Sequence, residues 1–302
     1  MESGTLLLLA GYIVVILMAS LVGGWLPMMV TLTHRRVEFA ISFISGMMLG
    51  IGLLHLLPHA LMEIDVTDAH GAVGTIMLWF IAGLLLMFFL ERFFCYHHHD
   101  APGDDEHDHD HSQRADHDHA HDHSITWAGA LIGLTIHSII GGIALAASVE
   151  ADRHGATGIG WWGVGTFLVI ALHKPFDALT ILTLMRVREK TTLKCHLVNV
   201  AFSLAIPVGV ILFYLGMSGS GSAGHGYIAA ALAFSAGTFV CIALSDLLPE
   251  LKFHNHDRYA LSASLLIGLA LAFGIAKMEA STHDHSHHGH DHAGHDHAGH
   301  DH

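Results

Sequence analysis

Eight long apolar runs, separated by short polar connections, set the pattern of this chain: roughly residues 5–30, 37–62, 71–94, 125–149, 160–185, 194–217, 227–250 and 259–279. About 20 mainly apolar residues cross a bilayer as a helix. Each run therefore predicts one span, and together they predict an all-α polytopic membrane protein with eight transmembrane helices. The first run has no basic stretch ahead of it and is longer than the core of about 7–15 residues in a cleaved signal peptide, so it reads as a retained span. Two intervals have no apolar face. They divide the chain into spans one to three (residues 1–96), a His-rich segment (97–124), spans four to eight (125–280) and a His-rich tail (281–302).

Of the 302 residues, 52% are hydrophobic and 13% are charged, against about 25% charged in an average soluble domain. The formal charge of −14 comes mostly from carboxylates in the two His-rich intervals, so an acidic or nucleic-acid-binding surface is not implied. Cys95, Cys195 and Cys241 lack metal-ligand spacing and are odd in number, which points to neither a disulfide framework nor a thiolate site.

Basic residues give the orientation, because cytoplasmic loops carry an excess of Lys and Arg. Arg35, Arg36, Arg92, Arg114, Arg186, Arg188, Lys190, Lys194, Lys252 and Arg258 follow spans one, three, five and seven, whereas only Arg153 and Lys277 lie on the other face. Both termini are expected to be non-cytoplasmic. The first His-rich segment is then inside and the tail outside.

The chain also resembles itself. Gly46 to His59, with His55-Leu-Leu-Pro58-His59, matches Gly237 to Glu250, with Asp246-Leu-Leu-Pro249-Glu250. His137-Ser138 in span four is matched by His173-Lys174 in span five. Both pairs are separated by an odd number of crossings, which predicts an inverted repeat of three helices, a central pair and three helices, with the substrate site near the midplane.

Polar groups at that depth need a reason, since a charged side chain at the bilayer centre costs at least about 2.5–3.5 kcal/mol. Residues four apart share a helix face: His173 with Asp177, His55 with His59, and Asp246 with Glu250. Nitrogen with carboxylate oxygen suits zinc and its first-row neighbours better than magnesium or calcium, so a metal or ion path is expected. Pro58, Pro175 and Pro249 lie in or beside these motifs, each removing a backbone donor and freeing a carbonyl. The small residues Gly141, Gly142, Ala144, Ala146 and Ala147 allow close helix approach.

The order and spacing of these motifs, with the Gly237-Thr-Phe to Leu-Leu-Pro-Glu250 stretch and the His-rich segment between spans three and four, resemble the ZIP family of zinc and iron permeases across all eight spans. The resemblance implies uptake of a divalent metal into the cytoplasm through a homodimer, with the ion between helices four and five. Carried over position by position, His137 matches the family histidine of helix four, Ser138 stands where asparagine is usual, and Gly141 stands at an acidic ligand position. On helix five, His173 and Asp177 fall at ligand positions. Lys174 replaces an acidic ligand of the second metal in the two-metal site of some members. A protonated ammonium has no acceptor, so Lys174 is expected to pair with Asp177 and stand in for that metal. A mononuclear site of His137, His173 and Asp177, completed by Ser138 or water, follows.

Given the orientation, His55 and His59 fall toward the entrance, and Asp246 and Glu250 toward the exit. The alternatives are interhelical hydrogen bonding for the histidines and simple hydration for Glu250. Between residues 97 and 123 there are ten histidines and nine acidic residues, and residues 281–302 hold ten more histidines. Such compositions cannot bury a core. They suggest metal buffering or feedback inside and metal capture outside, or merely solubilising tails.

No phosphate-binding loop suggests ATP use. The expected cargo is zinc, with cadmium, iron and manganese as alternatives, and no catalytic cofactor is expected. The expected setting is the plasma or inner membrane. Two other classes compete: an exporter of the cation-diffusion type, and an intramembrane zinc hydrolase using His55, His59 and His173.

Overall fold

The computed structural model describes residues 3–29, 34–64, 69–94, 127–155, 161–187, 191–219, 224–253 and 258–284. Every regular element among them is helical: α1 (Ser3–Met29), α2 (His34–Ile51), α3 (Leu57–Met62), α4 (Ala69–Phe94), α5 (Trp127–Gly155), α6 (Val164–Val187), α7 (Thr192–Ser203), α8 (Ala205–Gly219), α9 (Gly224–Phe253) and α10 (Arg258–Asp284). Counting α2 with α3 and α7 with α8 as single bent spans, eight helices are long and apolar enough to cross a membrane. The two His-rich intervals lie outside the described residues, apart from the backbone of the last turn of α10.

Proline accounts for both bends. Pro58 has no N–H to give to the carbonyl four residues back. Just before it the ladder widens into a π turn, Gly52–Leu56, and the Leu57 N–H reaches the Gly52 carbonyl. His55 sits inside that turn and is 1% exposed. Single π turns recur at functional sites because they re-aim side chains. In the other bent span, Pro207 cannot donate to Ser203; α7 stops there, and the Leu204 N–H turns back to the Ala201 carbonyl at 3.3 Å.

Burial separates inner from outer helices. The most apolar stretch of α9 is 67% buried and those of α2–α3 and α5 are 61% buried, whereas those of α1, α4 and α10 are 22–28% buried. The latter present residues such as Leu7, Leu78, Phe93 and Ile267 outward, as a lipid-facing surface requires.

Four helix pairs make the most extensive contacts: α2 with α10, α4 with α9, α5 with α8, and α1 with α6. Three of them cross at reciprocal glycines. A Cβ on Gly46 would strike the Leu265 carbonyl and one on Gly268 the Phe43 carbonyl; Gly83 and Gly237 face the Phe234 and Phe80 carbonyls, and Gly142 and Gly209 face the Ile206 and Ile139 carbonyls. In each case the carbonyl belongs to the residue three before the partner glycine, the close-contact geometry that lets Cα–H groups meet backbone oxygens. Of the two adjacent glycines in span four, Gly142 makes the crossing, while Gly141 faces the side chains of Ile206 and Ile170.

Candidate metal path

The hydropathy run of span four ends at Val149, but α5 continues for another six residues through Glu150, Asp152, Arg153 and His154. That extra turn and a half carries polar groups to the end of the bundle where α3 and α5 finish and α6 and α9 begin. Among the described residues, three groups of histidine and carboxylate donors result: His137, His173 and Asp177; His55, His59 and Asp152; and Glu63, His154 and His225.

The first group joins α5 and α6. His137 Nε2 lies 3.4 Å from His173 Nε2, and each is 4.0 Å from Asp177 Oδ2. His173 Nδ1 lies 2.7 Å from the Val169 carbonyl, which can only accept. The proton therefore sits on Nδ1, and the Nε2 lone pair faces His137. Such a hydrogen bond on the far nitrogen fixes the tautomer and ring direction of a metal-ligating histidine. Zinc bonds of about 2.0–2.1 Å at tetrahedral angles hold donor atoms roughly 3.3–3.4 Å apart. The two imidazole nitrogens already have that spacing. From 4.0 Å the carboxylate oxygen needs to move in by only about 0.6–0.7 Å.

Lys174 is fully buried beside this group. Its Nζ is 3.9 Å from Asp177 Oδ2, lies 3.8 Å from the centre of the Phe202 ring and donates to Ser138 Oγ. Ser138 in turn donates to the Leu134 carbonyl at 2.7 Å. The hydroxyl is thus turned to the ammonium and the helix backbone, outside the three-donor group. The aromatic face and the serine oxygen are what make an ammonium tolerable here.

The second group lies farther along α5. The His55 and His59 rings are 4.5 Å apart, and His59 Nδ1 is 3.2 Å from Asp152 Oδ1. His55 Nε2 meets Ser148 Oγ at 3.0 Å, and Thr166 donates to the same oxygen at 3.0 Å. The other Asp152 oxygen accepts the Gly163 N–H at 2.6 Å, fixing the turn into α6, where Gly163 has φ of 70°. Asp152 was missed from sequence because it stands past the apolar run.

Of the acidic pair in span seven, Asp246 accepts from Ser45 at 3.4 Å and joins none of the three groups. The Glu250 side chain lies outside the described residues. Nearby, Ser245 donates to Glu91, a part-buried carboxylate contact that sequence reasoning did not single out.

Eight membrane-length helices with buried imidazole and carboxylate groups strung between them define an integral, multi-pass membrane protein of the metal-handling class. The profile described as ZIP Zinc transporter matches residues 6–282, and the chain belongs to that family. Zinc transporter ZIP9-A of Xenopus laevis is 32% identical over 131 residues, covering 42% of this chain and 41% of that protein. Zinc transporter ZIP9 of Macaca fascicularis is 31% identical over 131 residues, 42% of this chain and 52% of that protein. Zinc transporter ZIP9-B of Xenopus laevis is 24% identical over a longer stretch, 271 residues, or 78% of this chain and 82% of that protein. The aligned part thus spans about half the length or less of the first of these relatives. The family is one of transporters, which sets aside the hydrolase alternative.

Proposed function

We propose that the protein takes up a divalent transition metal, zinc foremost, into the cytoplasm, with a single ion held by His137, His173 and Asp177 near the midplane. The observation that carries this reading is the convergence of three donor atoms from α5 and α6, two of them at tetrahedral zinc spacing. Lys174 makes the site mononuclear, because its charge occupies the side of Asp177 where a second cation would sit. With the serine hydroxyl engaged by that ammonium, water completes the shell. The ammonium also repels the bound ion, which favours release over retention.

The path runs from His55, His59 and Asp152 at the non-cytoplasmic side through the central group toward Asp246 and Glu250. Inward-positive loops support this direction, with both termini outside. The helix pairing supports an inverted repeat in a 3+2+3 bundle: exchanging span one with six, two with seven, three with eight and four with five turns the α2/α10 pair into α9/α4 and the α5/α8 pair into α6/α1. In this reading residues 97–124 form a cytoplasmic buffering loop and 281–302 an outer metal-collecting tail, and the transporter is a homodimer whose partners in function are metal ions and lipid.

Purified protein in sealed proteoliposomes tests the proposal directly. Zinc should accumulate, with cadmium, iron and manganese added singly to set the order of preference. Vesicles that pass none of the four would overturn it.

A further inference from the structure

The third donor group is absorbed by neither the central site nor the His55/His59 pair. Glu63 follows the end of α3, His154 belongs to the last turn of α5, and His225 is the second residue of α9. His225 Nδ1 is 2.5 Å from Glu63 Oε2, His154 Nδ1 is 3.5 Å from Glu63 Oε1, and the two rings are 4.9 Å apart. The carboxylate is 8% exposed, whereas the imidazoles are 32% and 66% exposed. A nearly buried carboxylate thus presents each of its oxygens to one solvent-accessible imidazole. Arg153 is held by Glu150 at 2.6 and 2.9 Å and faces the far nitrogen of His154 at 3.5 Å, so Nδ1 stays turned toward Glu63.

We propose that Glu63, His154 and His225 form a separate surface site for a first-row divalent metal, zinc by preference, at the mouth of the bundle. Two imidazoles and a carboxylate are a ligand set of zinc, with a fourth position open to water. A metal at Nδ1 would take the place of the proton that each imidazole turns toward the carboxylate. Placement gives the site its use. Glu63 lies one turn beyond His59, about 6 Å farther along the chain's helical path, and His154 lies two residues beyond Asp152, about 3 Å along α5, so the second donor group is the next one inward. An ion held at the mouth can pass inward by exchanging ligands one at a time. That staging role rests on the transport reading; the binding does not.

The test uses the full-length protein in detergent, with zinc chloride as the probe and magnesium chloride as the control. Carbethoxylation of His154 and His225 by diethyl pyrocarbonate is read by peptide mass spectrometry across a zinc titration. Zinc should protect both residues in the wild type, and magnesium should protect neither. Glu63→Gln should raise the zinc concentration needed for protection at least tenfold. His225→Ala, at a largely exposed side chain whose removal opens no core, should do the same for His154. Absence of protection in the wild type, or protection at unchanged zinc in both variants, would overturn the site. Failure of zinc flux with protection intact would instead remove the transport reading and leave this site standing.

Discussion

The Nε2 atoms of His137 and His173 face each other at 3.4 Å across two helices whose matched motifs are 36 residues apart. With the His173 proton fixed on Nδ1 by Val169, the gap between them has room for one proton or, in the proposed site, one metal ion. Replacing either histidine, or Asp177, by Ala removes one of the three donors of the proposed site. Zinc uptake into proteoliposomes at submicromolar zinc is expected to fall at least tenfold for each variant, and uptake at the wild-type rate by any of the three would count against the central site.

Lys174→Met leaves an unbranched side chain one atom shorter beside Phe202 while deleting the positive charge next to Asp177. A divalent ion then no longer faces a fixed cation in a medium where charges interact strongly. Zinc is expected to bind at least tenfold more tightly and to leave more slowly, so binding strengthens while turnover drops. Competition against a chromophoric chelator reads the first, and saturating flux the second.

Asp152 serves both the second donor group and the fold. Asp152→Ala removes the acceptor of the Gly163 N–H and leaves His59 without its carboxylate. A charged hydrogen bond of this kind contributes about 1.5–3 kcal/mol. The melting temperature should fall by several degrees, and the zinc concentration giving half-maximal uptake should rise. Asp152→Asn, which retains an oxygen for Gly163, should recover most of the stability but not the uptake.

At Gly163 the φ of 70° and the nearness of Val149 both exclude a side chain without strain. Gly163→Ala is expected to destabilise the protein by about 1–3 kcal/mol, seen as a lowered melting temperature in detergent, with the α5–α6 turn showing faster hydrogen exchange.

Much of this was legible in the chain. Apolar run length marked all eight spans, and the fourfold spacing of His173 and Asp177 put both on the face that meets His137. The matching of Lys174 with Asp177 was likewise readable, because i and i+3 positions share a face. What stayed hidden lay past the ends of the apolar runs: Glu63, Asp152, His154 and His225 sit in polar stretches, where hydropathy gives no sign that a helix continues. Their partners are distant in sequence, so only the crossing of α3, α5 and α9 brings them together. The stripe His55, His59, Glu63 at spacings of four was the one local sign available. The turn of the Ser138 hydroxyl toward Lys174 depends on a rotamer, which a motif does not specify.

The reciprocal glycine crossings decide where this molecule can yield. Backbones seated against each other with no side chain between them make stiff joints, so each coupled pair behaves as a single girder. Sliding is left to the seams between girders, and two of those seams, α5 against α6 and α3 against α5, are where the imidazoles and carboxylates are lodged. In the proposed uptake, cargo resting there would touch both sides of such a seam, and its arrival or departure would change how firmly the seam holds.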